Sequence, residues 1–557
     1  MANLFRSVPI RKPKSNYFDL SHEVDTTCNM GSNIPILCEP VVPGDKWRLQ
    51  TEILVRLAPT LAPIMHRVNV YTHFFFVPNR LIWDDWEKFI TRGASGELTP
   101  EYPVIRLDNT DVKKLHSSTL FDYLDFQSVS RNDKIAYGFA DALPFRAYQL
   151  IYDEYYRDQN LEEAICANVR KQESNSIGGV PFGSGVSTNP EHNNALLTLR
   201  SRAWEKDYFT SALASPQRGA DVRLPLSGTA DVVLKDGVLD DPEARVYVKG
   251  YGVLNDARRN ISNDEGVLSQ DVSNEGGTST PNPVVVDPNG TLKADLSNAT
   301  SATINELRRS MRLQEFLEKT ARGGSRYIEQ ILSHFGVRSS DARLQRPEYL
   351  GGGISPIIIS EVIQQSQSTA DSPQGNMSGH GVSAQVTHQF KRFFEEHGYV
   401  IGILSVMPKP GYMQGTPRKY LKRDFFDFYW PEFANLGEQA IINEELYADY
   451  GKFVGHGVDY AGNGKNSNDE VFGYTPRYAE YKYIPSRVHG DFRGNLNYWH
   501  MARDFTKLPT LSKEFVMESP TTRIWPATYQ YLDHLWIQCY HNIKAKRPMP
   551  KFGVPTL

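Results

Sequence analysis

Along Trp47–Leu57 the residues Trp47, Leu49, Thr51, Ile53, Val55 and Leu57 fall on one face and mostly polar residues on the other, the period-2 pattern of a half-buried strand. A second alternation follows, with Val68, Val70, Thr72, Phe74 and Phe76 set against Arg67, Asn69, Tyr71, His73 and Phe75, and Pro78 ends it. The proline-marked connection Ala58–Pro63 predicts that these two strands are neighbours in one sheet. Near the far end Leu535, Ile537, Cys539, His541 and Ile543 alternate with Trp536, Gln538, Tyr540, Asn542 and Lys544, which predicts a C-terminal strand. The run Tyr399–Met407, bounded by Gly398 and Pro408, is apolar on both faces and predicts a strand covered on both sides.

Helical spacing appears between the strands. Tyr148, Ile151, Tyr152, Tyr155 and Tyr156 recur along a segment opening at Leu143-Pro144-Phe145, ahead of a Gly/Ser-rich loop at 174–188. Thr303-Ile304-Asn305-Glu306 has the form of a capping box, and Leu307, Met311, Phe316 and Leu317 continue it up to the break at Gly323-Gly324. A second helical set, Tyr327, Ile328, Ile331, Leu332 and Phe335, ends at Gly336. Residues 226–300 stand apart, with 12 acidic and 6 basic residues and short Val-rich runs such as Val284-Val285-Val286. Such a segment can make β-hairpins but not a large core, so it is expected to project from the body or to pack on neighbouring copies.

The composition of the 557 residues is globular: 40% hydrophobic, 23% charged, and 61 Lys+Arg against 65 Asp+Glu for a net charge of −4. No apolar stretch approaches the ~18 residues of a membrane span, and no apolar signal core follows Met1, so synthesis and retention in a cytoplasm are expected, without membrane insertion. Cys28, Cys38, Cys166 and Cys539 lack CxxC spacing and are expected to be free thiols.

Catalytic signatures are missing. There is no HExxH helix and no Gly-x-Ser-x-Gly elbow. Gly464-Lys465 lacks both the following Ser/Thr and the leading glycine of a phosphate loop, and Gly351-Gly352-Gly353 reads as a flexible connection rather than a phosphate cradle. His380, His388 and His397, with Glu395 and Glu396, contain no i, i+4 pair, so no metal site is assigned. A carbohydrate-active enzyme would need two facing carboxylates ~5 to 9.5 Å apart, whereas Asp84-Asp85 and Glu395-Glu396 are adjacent and diverge. The aromatic run Phe425-Phe426-Asp427-Phe428-Tyr429-Trp430 reads as core or subunit interface, ahead of a base-stacking platform.

Charge is more informative at the ends. Residues 1–14 carry Arg6, Arg11, Lys12 and Lys14 without an acid, and residues 541–557 carry Lys544, Lys546, Arg547 and Lys551 without an acid. Two unstructured basic ends suit phosphate neutralisation by counterion release; two solvated tails have the same composition.

Several longer stretches resemble the major capsid proteins of the Microviridae, small single-stranded DNA phages, in their gokushovirus branch. They are Asn16-Tyr17-Phe18-Asp19-Leu20-Ser21-His22; Thr72–Arg80 with Trp83-Asp84-Asp85-Trp86; Leu332-Ser333-His334-Phe335-Gly336-Val337; Asp341–Gly353; Gly398–Gly402 with Met407-Pro408; and Tyr429-Trp430-Pro431-Glu432-Phe433 with Leu436-Gly437-Glu438-Gln439. The resemblance implies a mainly β fold, an eight-stranded antiparallel jelly roll with long, partly helical insertions. It divides the chain into an N-terminal arm, first strands and helical insertion (1–225), a variable acidic protrusion (226–300), and a helical segment, remaining strands and basic tail (301–557). It implies a structural protein rather than an enzyme, without cofactor or metal, assembling through pentamers in the bacterial host cytoplasm into the icosahedral shell of a virion. The expected partners are further copies of the chain, the circular single-stranded DNA genome, a small internal DNA-binding or scaffolding protein, and a host surface receptor met by residues 226–300. The two basic ends become inward-facing DNA contacts.

Overall fold

The computed structural model describes residues 14–107, 114–128, 138–166, 182–219, 222, 304–324, 326–365, 374–387, 389–448, 467–517, 519, 521–526 and 532–552, and short strands within 231–295. The chain divides into two compact units, residues 1–218 with 318–557, and residues 219–317.

The larger unit is built on two antiparallel sheets. The first holds β1 (Asn16–Asp19), β2 (His22–Cys28), β4 (Lys46–Thr60), β7 (Ile358–Ile363), β8 (Met377–Val386), β9 (Phe390–Phe393) and β11 (Leu535–Arg547). β1 and β2 pair in succession along one edge of β11, β11 pairs with β4, β4 with both β8 and β9, and β8 with β7. The second sheet runs β6–β5–β10–β3, where β3 is Ile34–Val41, β5 Val68–Pro78, β6 Glu348–Pro356 and β10 Gly398–Pro408.

The sheets bury their inner faces against each other. One apolar cluster joins Ile53, Val55, Leu57, Leu535, Ile537 and Cys539 of the first sheet to Ile34, Ile36, Val68, Val70, Leu404 and Val406 of the second. Another joins Trp47, Leu49, Ile543 and Ala545 to Leu37, Phe74, Phe76 and Val400. The six alternating residues read from Trp47 to Leu57 are the inward face of β4, each buried.

β4 and β5 are therefore in opposite sheets, not adjacent as the short connection between them predicts. Each carries an apolar stripe that must be buried, and turning the chain across the sandwich at Ala58–Pro63 sets the two stripes against one another.

A third layer covers the outside of the second sheet. Helix α1 (Ala142–Ile151), its N-terminus capped by Asp141 accepting from the Leu143 amide at 2.9 Å, continues as a wide turn through Tyr156. Phe145, Tyr148 and Ile151 of α1 share one cluster with Phe75 and Val77 of β5 and Ile401 and Ile403 of β10. This layer explains why β10 is apolar on both faces, and why β5 is buried at nearly every position despite its apparent alternation.

Gly351, Gly352 and Gly353 lie inside β6, not in a flexible connection. A bulge between Tyr349 and Gly351 places Gly351 at φ +146°, and a Cβ on Gly352 would meet the Thr72 carbonyl oxygen, so these glycines allow close strand approach.

In the smaller unit Asp231–Leu234 pairs with Leu292–Asp295 and Ser262–Asp264 with Val267–Ser269, both antiparallel. Val284-Val285-Val286 lies outside the described residues. Helix α2 (Ile304–Gly323) stops at the predicted glycines; Thr303 of its capping box is outside the described residues.

Candidate nucleic-acid interface

The outward face of β11 decides where the C-terminal cations go. Lys544, Lys546 and Arg547 do not form an unstructured tail: the strand runs through Arg547, because Ile543 and Ala545 belong to the buried stripe and extend the ladder past the last apolar-rich residues. β1 pairs with this end in the register Asn16↔Arg547, Tyr17↔Lys546 and Asp19↔Lys544. The Asn16 amide also donates to the Met549 carbonyl at 2.8 Å. Lys14, exposed just before β1, and Lys551, exposed just beyond Met549, thus flank the same edge. Arg6, Arg11 and Lys12 lie outside the described residues.

β4 and β9 add cations that sequence reading passed over. The registers Lys546↔Lys46 and Phe393↔Lys46 complete one transverse row, Tyr17–Lys546–Lys46–Phe393. The registers Lys544↔Arg48 and Lys391↔Arg48 complete the next, Asp19–Lys544–Arg48–Lys391. These side chains line an open groove of about 760 Å³, together with Arg392, which turns to Glu348 in an ion pair. Five other cations share the groove with one carboxylate, Asp19.

Neighbouring strands are ~4.8 Å apart, and like charges directly opposite one another are destabilising. Three such juxtapositions in two successive rows, Lys546–Lys46, Lys544–Arg48 and Arg48–Lys391, are a cost that an anion lying across the face would relieve. Within the protein the relief is partial. Asp19 pairs with Lys544, and the donated hydrogen bonds of Lys544 and Ser21 hold its carboxyl at about 2. Lys546 lies 5.3 Å from the Tyr17 ring and Lys46 5.7 Å from the Phe393 ring. Tyr17 and Phe393 are themselves exposed, by 73% and 49%, so the first row has an exposed aromatic ring at each end.

Arg547 differs from its neighbours. Its Nε donates to the Asp45 carboxylate at 3.1 Å and its terminal nitrogen to the Pro40 carbonyl at 3.0 Å, and its guanidinium lies 5.5 Å from the Trp47 ring. Asp45 is fully buried and also accepts from Trp47 Nε1 at 3.2 Å. This cation holds the strand end to the sandwich. The missed members were visible in principle, since Lys46 and Arg48 alternate with buried Trp47 and Leu49, and Lys391 sits inside Phe390-Lys391-Arg392-Phe393.

The carboxylate pairs weighed for hydrolysis are engaged elsewhere: Asp85 accepts from Lys88 and Ser184, both at 2.7 Å, and Glu396 from Arg80 at 2.7 Å. His397 packs edge-on to Trp86 and His380 sits on β8, while His388 is outside the described residues. Among the described residues no group of three or more His, Cys, Asp or Glu side chains is gathered for a metal, and no helix is long and apolar enough to cross a membrane.

The family described as capsid protein (F protein) matches residues 7–557 of this chain. Similar proteins include capsid protein VP1 of Chlamydia phage 1, 35% identical and covering 100% of this chain and 98% of its own, and VP1 of Bdellovibrio phage phiMH2K, 35% identical over 99% and 97%. VP1 of Spiroplasma virus 4 is 30% identical over 97% and 94%. The resemblance carried by the residue motifs extends over the whole length.

Proposed function

Because the chain belongs to the phage capsid protein (F protein) family and is a structural capsid protein of the virion, we propose that it closes, through pentamers, into an icosahedral shell around circular single-stranded DNA, with the cationic face of β1, β4, β9 and β11 turned inward against the genome. The observation that carries this reading is the set of five cations abreast on one exposed sheet face, flanked by two exposed rings. Phosphates would neutralise the rows, and bases would stack on the rings at the two ends of the first. The arm bearing Arg6, Arg11 and Lys12 would extend the same surface.

Strand order supports the jelly-roll reading. Taking β2, β11, β4 and β8 as one half and β3, β10, β5 and β6 as the other gives eight strands. In the chain, β2 and β3 precede β4, and β11 closes beside β2; the first and last strands are thus neighbours, and successive strands fall in opposite sheets except at β5 and β6, which pair within the second, and where β1, β7 and β9 extend the first.

Replacing Lys46, Arg48, Lys391, Lys544 and Lys546 by Gln tests the DNA contact. Shells are expected to form with reduced DNA content. The slope of log affinity for single-stranded DNA against log salt should fall by roughly 0.7 for each phosphate contact removed. Unchanged packaging and slope would refute the assignment.

A further inference from the structure

We propose that the aromatic surface formed by Phe425, Phe426, Phe428, Tyr429, Trp430 and Tyr481 is a contact with a second copy of this chain; the inference rests on the shell reading above and names a surface it uses. The sequence allowed core, interface or stacking platform for the run at 425–430. Core is excluded, since all six rings are between 42% and 56% exposed.

They are also held out rather than left loose. Trp430 Nε1 donates to the Phe425 carbonyl at 3.2 Å, Arg477 to the Phe426 carbonyl at 3.1 Å, and the Tyr478 hydroxyl to the Phe428 carbonyl at 3.0 Å. A surface fixed in this way loses little conformational entropy when covered. A buried aromatic side chain removes ~150–250 Å² from water, so six half-exposed rings offer on the order of 600 Å². That is near the ~800 Å² that one partner gives to a specific interface and at the upper end of what a monomer ordinarily leaves bare.

A nucleic acid fits this surface poorly. Stacking needs free ring faces, and several here are crowded: Phe425 lies 3.9 Å from Phe426, Phe426 5.0 Å from Phe433, and Tyr481 has Tyr429 6.2 Å from its ring and the Lys422 ammonium at 3.9 Å. Asp424, Asp427 and Glu432 are interspersed among the rings and would repel phosphate. Exposed ring edges with both signs of charge nearby suit a protein, and in a shell of one repeated chain the abundant protein is another copy.

The test places a photo-crosslinking phenylalanine analogue at Phe428 in the full-length chain and irradiates purified particles. The expected product is a chain-to-chain adduct of twice 63.1 kDa. An adduct to DNA or to another protein, or none, overturns the inference. In parallel, the variant Phe426→Ser/Phe428→Ser/Trp430→Ser should keep its far-UV circular dichroism and remain monomeric, and shells formed at the unsubstituted yield would overturn the inference as well. If the unsubstituted chain yields no particles under any co-expression, the shell reading itself falls; particles without the adduct remove only this contact.

Discussion

Arg547 and Lys544 lie three residues apart in one basic cluster, yet the fold gives them opposite duties. Lys544 pairs with an exposed carboxylate, whereas Arg547 satisfies buried Asp45, some 500 positions away along the chain and beyond the reach of any local pattern. Arg547→Gln should lower stability by about 3 kcal/mol in urea unfolding, because it strands a buried charge. Lys544→Gln should stay within ~0.5 kcal/mol. Similar losses from both would show that Arg547 holds nothing in place. His541 supplies a second prediction. Its Nε2 faces the Ile36 carbonyl at 2.8 Å and must carry the proton, so Nδ1 accepts from the Thr51 hydroxyl at 2.9 Å. Burial, aided by His22 at 5.2 Å, depresses this imidazole to about 4, and burial depresses His73 similarly. Between about 6.5 and 4 the unfolded chain binds more protons than the folded one, so the stabilisation is complete above 6.5 and is lost as pH falls through 4. Burial raises the carboxyls of Glu445 and Asp141, which act in the opposite sense over the acid range. His541→Gln should therefore flatten the pH dependence of the unfolding free energy by up to ~1.4 kcal/mol per pH unit in that window, and an unaltered slope would contradict the neutral buried imidazole.

At the scale of elements, strand existence was legible and strand partnership was not. Period-2 alternation located β4 and β11, and the doubly apolar run located β10, because burial acts on each residue locally. Which strands pair is set by complementary faces far apart in the chain, so the Ala58–Pro63 connection suggested a neighbour where the fold crosses the core. The same limit hid the cationic face: Lys46 and Arg48 read as a polar side of a strand until β9 and β11 supplied the rest of each row. Gly402 shows how closely the second sheet is packed, since a Cβ there would sit 2.7 Å from the Phe74 ring and 3.2 Å from Leu37. Gly402→Val should cost about 1–3 kcal/mol through overpacking, read as a lower unfolding midpoint. A midpoint within error of the unsubstituted chain would mean that β10 can shift against β5.

For the whole molecule, the question is what the acidic insertion is for. Every strand of the two main sheets comes from residues 16–78 and 348–547, and residues 219–317 form a separate compact unit. Composition set residues 226–300 apart, because a run rich in Gly, Asn, Ser, Thr and acids cannot bury the apolar area a sandwich strand must bury. Among the described residues, none of this unit pairs into the two main sheets. Excising 226–300 and joining the ends through a short Gly/Ser linker should leave shell formation intact, because among the described residues the ladders and core clusters of the sandwich are built from other parts of the chain. If the segment carries receptor contact, the same particles should fail to adsorb to host cells in a depletion assay. Failed assembly, with adsorption retained by whatever particles survive, would reverse the roles and make the insertion a lattice contact that copies of the chain share.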